Sequence, residues 1–232
     1  MDPLMVLALG IGLIVAVFVG SYMLKLQRRE GMANFAAKYG FVYTPHAPPG
    51  LLGYGFPLFF KGDGRGAENG VIGDWKGMSF KAADFWYYTE SSDSNGKRSK
   101  DYSRFSVAVI ELQAWLPDIS IYRENVLTLL GDKLGLPDID FESEEFNRAF
   151  KVKAKDRKFA FELIDPRMMQ WLLSLDRRFG FEIHGKGVLI YSKTLKPTEL
   201  LPLIATLKEF RERVPRLVWT NYGTATASGT DA

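Results

Sequence analysis

Residues 4–24 read LMVLALGIGLIVAVFVGSYML, 21 positions without a charged side chain, and Lys25, Arg28 and Arg29 follow closely. At about 1.5 Å of rise per residue, a helix of that length reaches about 31 Å, roughly the hydrocarbon thickness of a bilayer. Buried helices of soluble proteins seldom run beyond about 14 apolar residues without a polar face. A secretory signal needs a basic start, and only Asp2 and the terminal amine precede this run. No small-x-small cleavage site follows it. The run therefore predicts an uncleaved single-pass transmembrane helix with the lipid bilayer as its partner. Cations remain on the cytoplasmic side of a span, so Lys25, Arg28 and Arg29 are the expected membrane-flanking residues. The expected location is the inner cell membrane, with the soluble domain facing the cytoplasm.

Zero cysteines agree with a reducing compartment. The formal charge is +3, and Asp2 is the only charged side chain among the first 24 residues, so the remainder carries +4. That excess is too small to indicate nucleic acid without a clustered patch, and none is expected as a partner. An aromatic content of 14% argues for a packed core.

The periodicity divides the chain into an anchor (1–24), a juxtamembrane helix (25–40), an α+β domain (41–214) and a flexible tail (215–232). A split of the domain into two subdomains near 124–140 is the alternative. Leu26, Phe35, Ala36 and Tyr39 form the apolar stripe of the second helix, and Gly40 stops it. Strands are expected at 41–44, 70–75, 78–90, 102–112, 119–122 and 149–155. Lys76-Gly77 and Asn95-Gly96 mark hairpin turns, and Gly185-Lys186 marks a further one between 181–184 and 188–191. The Gly-rich segment 62–70 reads as a wide turn. Helices are expected at 124–134, from Arg157 behind an Asp156 cap, after Asp165-Pro166, and from Pro197 to Arg213. The expected fold class is α+β: an N-terminal transmembrane helix, then a soluble domain of antiparallel hairpins with helices packed on one face.

Material for catalysis is scarce. His46 and His184 are the only histidines, and neither stands in a metal-ligand spacing or near a nucleophile motif. Segment 62–70 lacks the Gly-Lys-Ser/Thr ending of a phosphate loop. Asp138, Asp140 and Glu142 alternate onto one side of an extended segment and are the metal candidates. Ser143 followed by Glu144 and Glu145 equally fits a helix start. Lys151, Lys153 and Lys155 share one side of a strand and are the candidate contacts to an anionic surface. Phe85, Trp86, Tyr87 and Tyr88 place aromatic rings on both faces of another strand, which implies cover on both sides or a wet binding face.

Two stretches carry a resemblance. FPLFFKGDGRGAENGVIGDWKGMSFKAADFWYYTE (56–90) and DIDFESEEFNRAFKVKAKDRKFAFELIDPRMMQWLL (138–173) resemble a family of uncharacterised bacterial proteins, common in actinomycete-type bacteria. That family has an N-terminal membrane span and one α+β domain. The second stretch also resembles a broader domain of unknown function, in which Phe-x-Val (Phe150 to Val152) precedes an x-Pro-x-Met-Met helix (Asp165 to Met169). The resemblance implies no activity, cofactor or catalytic residue. Phe146, Phe150, Phe161, Met168 and Trp171 within it read as core. The sequence thus points to a membrane-anchored, non-catalytic interaction or scaffolding domain with a protein partner of unknown identity and no cofactor. A lipid-headgroup or small-ligand module is the second reading, and a metal-dependent hydrolase the third.

Overall fold

The computed structural model describes residues 3–93, 96–123, 136–175 and 179–223. The first element is one helix, α1 (Pro3–Tyr39), which carries the apolar run without a break into the domain. Its side chains from Leu9 to Leu24 are exposed, and it is long and apolar enough to cross a membrane. Burial begins only in the last turns, at Met32, Phe35 and Ala36. Leu26, expected in that stripe, stays exposed. Gly40 adopts φ +71°, and Phe41 N and Gly40 N donate to the carbonyls of Ala36 and Ala37, a Schellman ending.

Six described strands form one antiparallel sheet: β1 (Val42–His46), β2 (Gly64–Asp74), β3 (Ser79–Ser92), β4 (Arg98–Arg123), β5 (Phe150–Ala154) and β6 (Gly180–Lys193). The long β4 organises it. One edge of β4 takes β3 along its first half and β5 near its end, and the other edge takes β6. The remaining helices are α2 (Glu144–Ala149), α3 (Arg157–Leu163), α4 (Pro166–Ser174), α5 (Leu200–Arg213) and α6 (Arg216–Tyr222).

Alternation assigns the two faces. Phe80, Ala82, Ala108 and Ile110 face the larger core, which Met168, Leu172, Leu203, Leu207 and Phe210 complete from the helices. Ala83, Phe85, Phe105, Val107 and Val109 face a second core, roofed by Leu51, Phe56, Leu58 and Phe59. These four lie in the segment between β1 and β2, which makes two short 3-10 turns, Leu51–Gly53 and Pro57–Phe60. The fold is therefore α+β, with an apolar helix, an antiparallel sheet and helices on one face, and with a strap over the other. Helix starts follow the sequence: Ser143, Asp156 and Asp165 each accept from a backbone N–H three residues on.

Five local expectations are corrected. Residues 180–193 are one strand, not a hairpin, because Gly185 at φ +58° forms an irregularity over which Trp115 packs. Residues 98–123 are likewise one strand. Pro117 is accommodated where the pairing with β6 shifts register, so its missing N–H breaks no regular ladder. Core-facing positions change parity there, from Ala108 and Ile110 to Ile119 and Ile121 on β4, and from Ile183 to Val188 on β6. Segment 62–70 is mostly strand, not turn: Gly64 and Gly66 lie opposite the rings of Tyr88 and Trp86. A helix, α6, follows Pro215 within the expected tail. Phe161 lies on the surface, whereas Phe146, Phe150, Met168 and Trp171 are buried. The expected helix 124–134 and Asn95 lie outside the described residues.

Candidate functional site

The site that the fold builds lies where α1 leaves the domain. Arg28 donates from Nε to Asp84 Oδ2 at 2.8 Å and from Nη2 to Asp84 Oδ1 at 2.5 Å, with its third arm on the Leu195 carbonyl. The two side chains are only 19% and 13% exposed. A bidentate pair of this kind fixes direction as well as distance. Asn69 supports it. It sits at φ +54° in the β2 bulge between Glu68 and Val71, donates to Asp84 at 3.0 Å and accepts from the Tyr43 hydroxyl at 3.1 Å. Burial raises the Tyr43 pKa. Ser106 accepts from Leu195 N, which ties the segment after β6 to the same cluster. Arg28, one of the expected membrane-flanking residues, is thus also tied to the domain. Lys25 and Arg29 remain exposed.

A cleft opens beside this network, lined by Leu24, Lys25, Arg28, Asp84, Trp86 and Arg104. Beyond it the sheet presents Trp86, Tyr88 and Tyr102 with ring centroids 5.4–6.3 Å apart. Lys100 Nζ stands 4.1 Å from the Tyr88 ring, and the Arg104 guanidinium 5.6 Å from Tyr102. Two glycines of β2 make room: a Cβ at Gly64 would meet Tyr88 at 2.4 Å, and one at Gly66 would meet Trp86 at 2.7 Å. Phe85 and Tyr87, the alternate residues of the same strand, lie buried beneath the strap. The four aromatics therefore serve two purposes, set by strand alternation.

The basic strand lies elsewhere. Lys151, Lys153 and Lys155 are near β5, paired with β4 at 119–123, while the aromatic face pairs at 102–104. The two occupy opposite ends of the longest strand. Lys153 is buried and meets Asp138 at 3.4 Å; Lys151 is half-buried and Lys155 exposed. Asp138, Asp140 and Glu142 all point outward, with Ile139 and Phe141 buried between them. Among the described residues no three His, Asp or Glu side chains are grouped to hold a metal ion.

Two further polar arrangements join residues distant in sequence. His184 Nδ1 lies 2.8 Å from Asp118, and His46 is exposed. Glu182, fully buried under the strap, accepts from Leu58 N at 3.1 Å. Burial pushes its carboxyl up to about 8, against the Leu58 N–H and the Lys61 charge. Ser120 and the Tyr191 hydroxyl are buried nearby without a hydrogen-bond partner among the described residues. The sequence offers no signal for Glu182, because a lone acid in a strand reads as a surface residue.

Residues 109–186 match the sequence profile of a family described as a protein of unknown function (DUF3137), and that span contains the Phe150 and Met168 motifs. No curated protein matches the chain. The crystal structure of the mycobacterial trehalose monomycolate transport factor A, TtfA, shares the fold at a TM-score of 0.58 and 14% identity, over 82% of this chain and 95% of that one.

Proposed function

We propose that this protein is a membrane-anchored, non-catalytic interaction module whose domain is held in a fixed pose at the cytoplasmic surface of the inner membrane. The observation that carries this reading is the continuity of α1. One helix runs from the apolar segment into the core, and the Arg28–Asp84 pair clamps it at the exit. A flexible linker would leave the domain free to tumble, whereas a continuous helix transmits orientation. The test is in cells. The full chain resists extraction from membranes, and a chain lacking residues 1–24 does not sediment with them. Protease added outside intact spheroplasts leaves the domain whole, and in-cell crosslinking recovers a reproducible protein partner. Digestion of the domain overturns the orientation, and a lone monomer overturns the scaffolding role.

A second reading, a lipid-headgroup module, has support from the cleft between α1 and Trp86, where Lys25, Arg29 and Arg104 stand beside Glu68 and the Arg28–Asp84 pair. The fold likeness to a protein named as a transport factor for trehalose monomycolate points the same way. In this reading the detergent-purified chain binds anionic lipid with an affinity that falls as salt screens the cations.

A further inference from the structure

The sheet and α1 run side by side in a definite sense. Phe35 and Met32 pack in the core that holds Phe80 and Ala82, Arg28 clasps Asp84, and Leu24 lines one cleft with Trp86. Moving back along α1 toward its apolar run therefore moves forward along β3. The step from Phe35 to Leu24 is about 16 Å on a helix, and that from Phe80 to Trp86 about 20 Å on a strand. The residues beyond Trp86 lie further in the same direction. They cannot stay against α1, because Val15, Val17, Phe18, Val19 and Tyr22 are all more than half exposed. The outer end of β2–β4 therefore departs from the helix beyond the cleft that Ser21, Leu24, Trp86 and Arg104 line.

That outer end has an unusual surface on both sides. One face carries Trp86, Tyr88 and the 48% exposed Tyr102, with Lys100 and Arg104 over the rings. The other carries Phe60, 65% exposed, with Arg65 at 5.6 Å. Glu68 and Glu90 lie beside Arg104 and Lys100, and Asp63, Asp93 and Asp101 are also near this end, so the surface is mixed with aromatic and cationic character rather than simply basic. Tryptophan and tyrosine favour the boundary between headgroups and water, where the ring is shielded and its polar atom stays wet. Lysine and arginine nearby meet the negative lipid surface.

We propose that the outer end of β2–β4 is a second membrane contact, seated through Phe60, Trp86, Tyr88 and Tyr102 in the headgroup layer of the bilayer that α1 enters. This rests on the membrane reading above, and it goes beyond it: the domain is held at two points, so its tilt on the bilayer is fixed. The glycines opposite Trp86 and Tyr88 then have a purpose, since they let the rings lie flat and keep that end thin.

The native chain has no cysteine, so single labels are clean. Leu24→Cys, Thr89→Cys and Ser79→Cys each receive an environment-sensitive fluorophore in the full chain, reconstituted in phosphatidylcholine–phosphatidylglycerol vesicles. A lipid carrying a quencher just below the headgroup reports depth. Thr89 lies at the outer end and Ser79 at the start of the same strand, about 33 Å away. The expected result is loss of emission at Leu24 and Thr89 to a similar extent, with Ser79 unchanged. Arg104→Glu with Lys100→Glu reduces the loss at Thr89 and leaves Leu24 alone. Quenching at Leu24 but not at Thr89 overturns this contact while the anchor stands. No quenching at Leu24 removes the anchor and this inference together. Thr89 dark to lipid but crosslinked to a protein assigns the surface to that partner and overturns the lipid contact.

Discussion

Replacing Glu182 by glutamine converts the protein's pH response into a measurable quantity. The carboxyl, on β6, is buried under the strap, accepts only from Leu58 N among the described residues, and is pushed up to about 8 from the usual 4.5. In the unfolded chain the same group loses its proton near 4.5. Between these values the folded state binds a proton that the unfolded state does not, so stability falls as pH rises. The contribution is fully present below about 4.5 and is lost as pH passes through about 8. A difference of about 3.5 units at about 1.36 kcal/mol each amounts to roughly 5 kcal/mol across the window. Glutamine keeps the carbonyl that Leu58 needs and has no proton to lose. Urea unfolding of the full chain in micelles, followed by tryptophan fluorescence from about pH 4.5 to about pH 8, gives the test. The variant's stability relative to wild type should rise by several kcal/mol over that range. A constant difference between the two proteins would show that Glu182 ionises in the fold as it does in water, and the burial argument would fail.

Asp84→Asn should loosen the exit of α1, since it leaves Arg28 half-buried without its counter-charge at a cost of roughly 2–4 kcal/mol. Limited proteolysis near residues 25–40 would then speed up, and an unchanged rate would mean that packing of Met32 and Phe35 holds the helix alone. Gly180→Ala should destabilise by roughly 1–3 kcal/mol, because its Cβ would sit 2.2 Å from the Tyr191 ring; an unchanged unfolding midpoint would contradict that packing. Asp165→Ala removes the cap on Met168 N and should lower stability by about 1 kcal/mol, seen as an earlier urea midpoint, whereas Asp165→Ser should restore most of it.

The sequence determined those features that a few neighbouring residues specify. The apolar run set α1, because length and hydrophobicity along one rod need no partner. Gly40, Asp156, Asp165 and Lys76-Gly77 set ends and turns, because each satisfies backbone groups within a few residues. The alternation of Phe105, Val107 and Val109 set one buried face of β4. Tertiary structure decided the rest, because those interactions join distant segments. Arg28 reads only as a membrane-flanking cation; Asp84, 56 residues away, also ties it to the domain. Lys153 reads as a surface lysine until Asp138 folds against it. Pro117 and Gly185 read as strand breaks until their irregularities meet on adjacent strands and absorb both. Local rules see the turn that a residue permits; only the paired strand fixes whether the chain takes it.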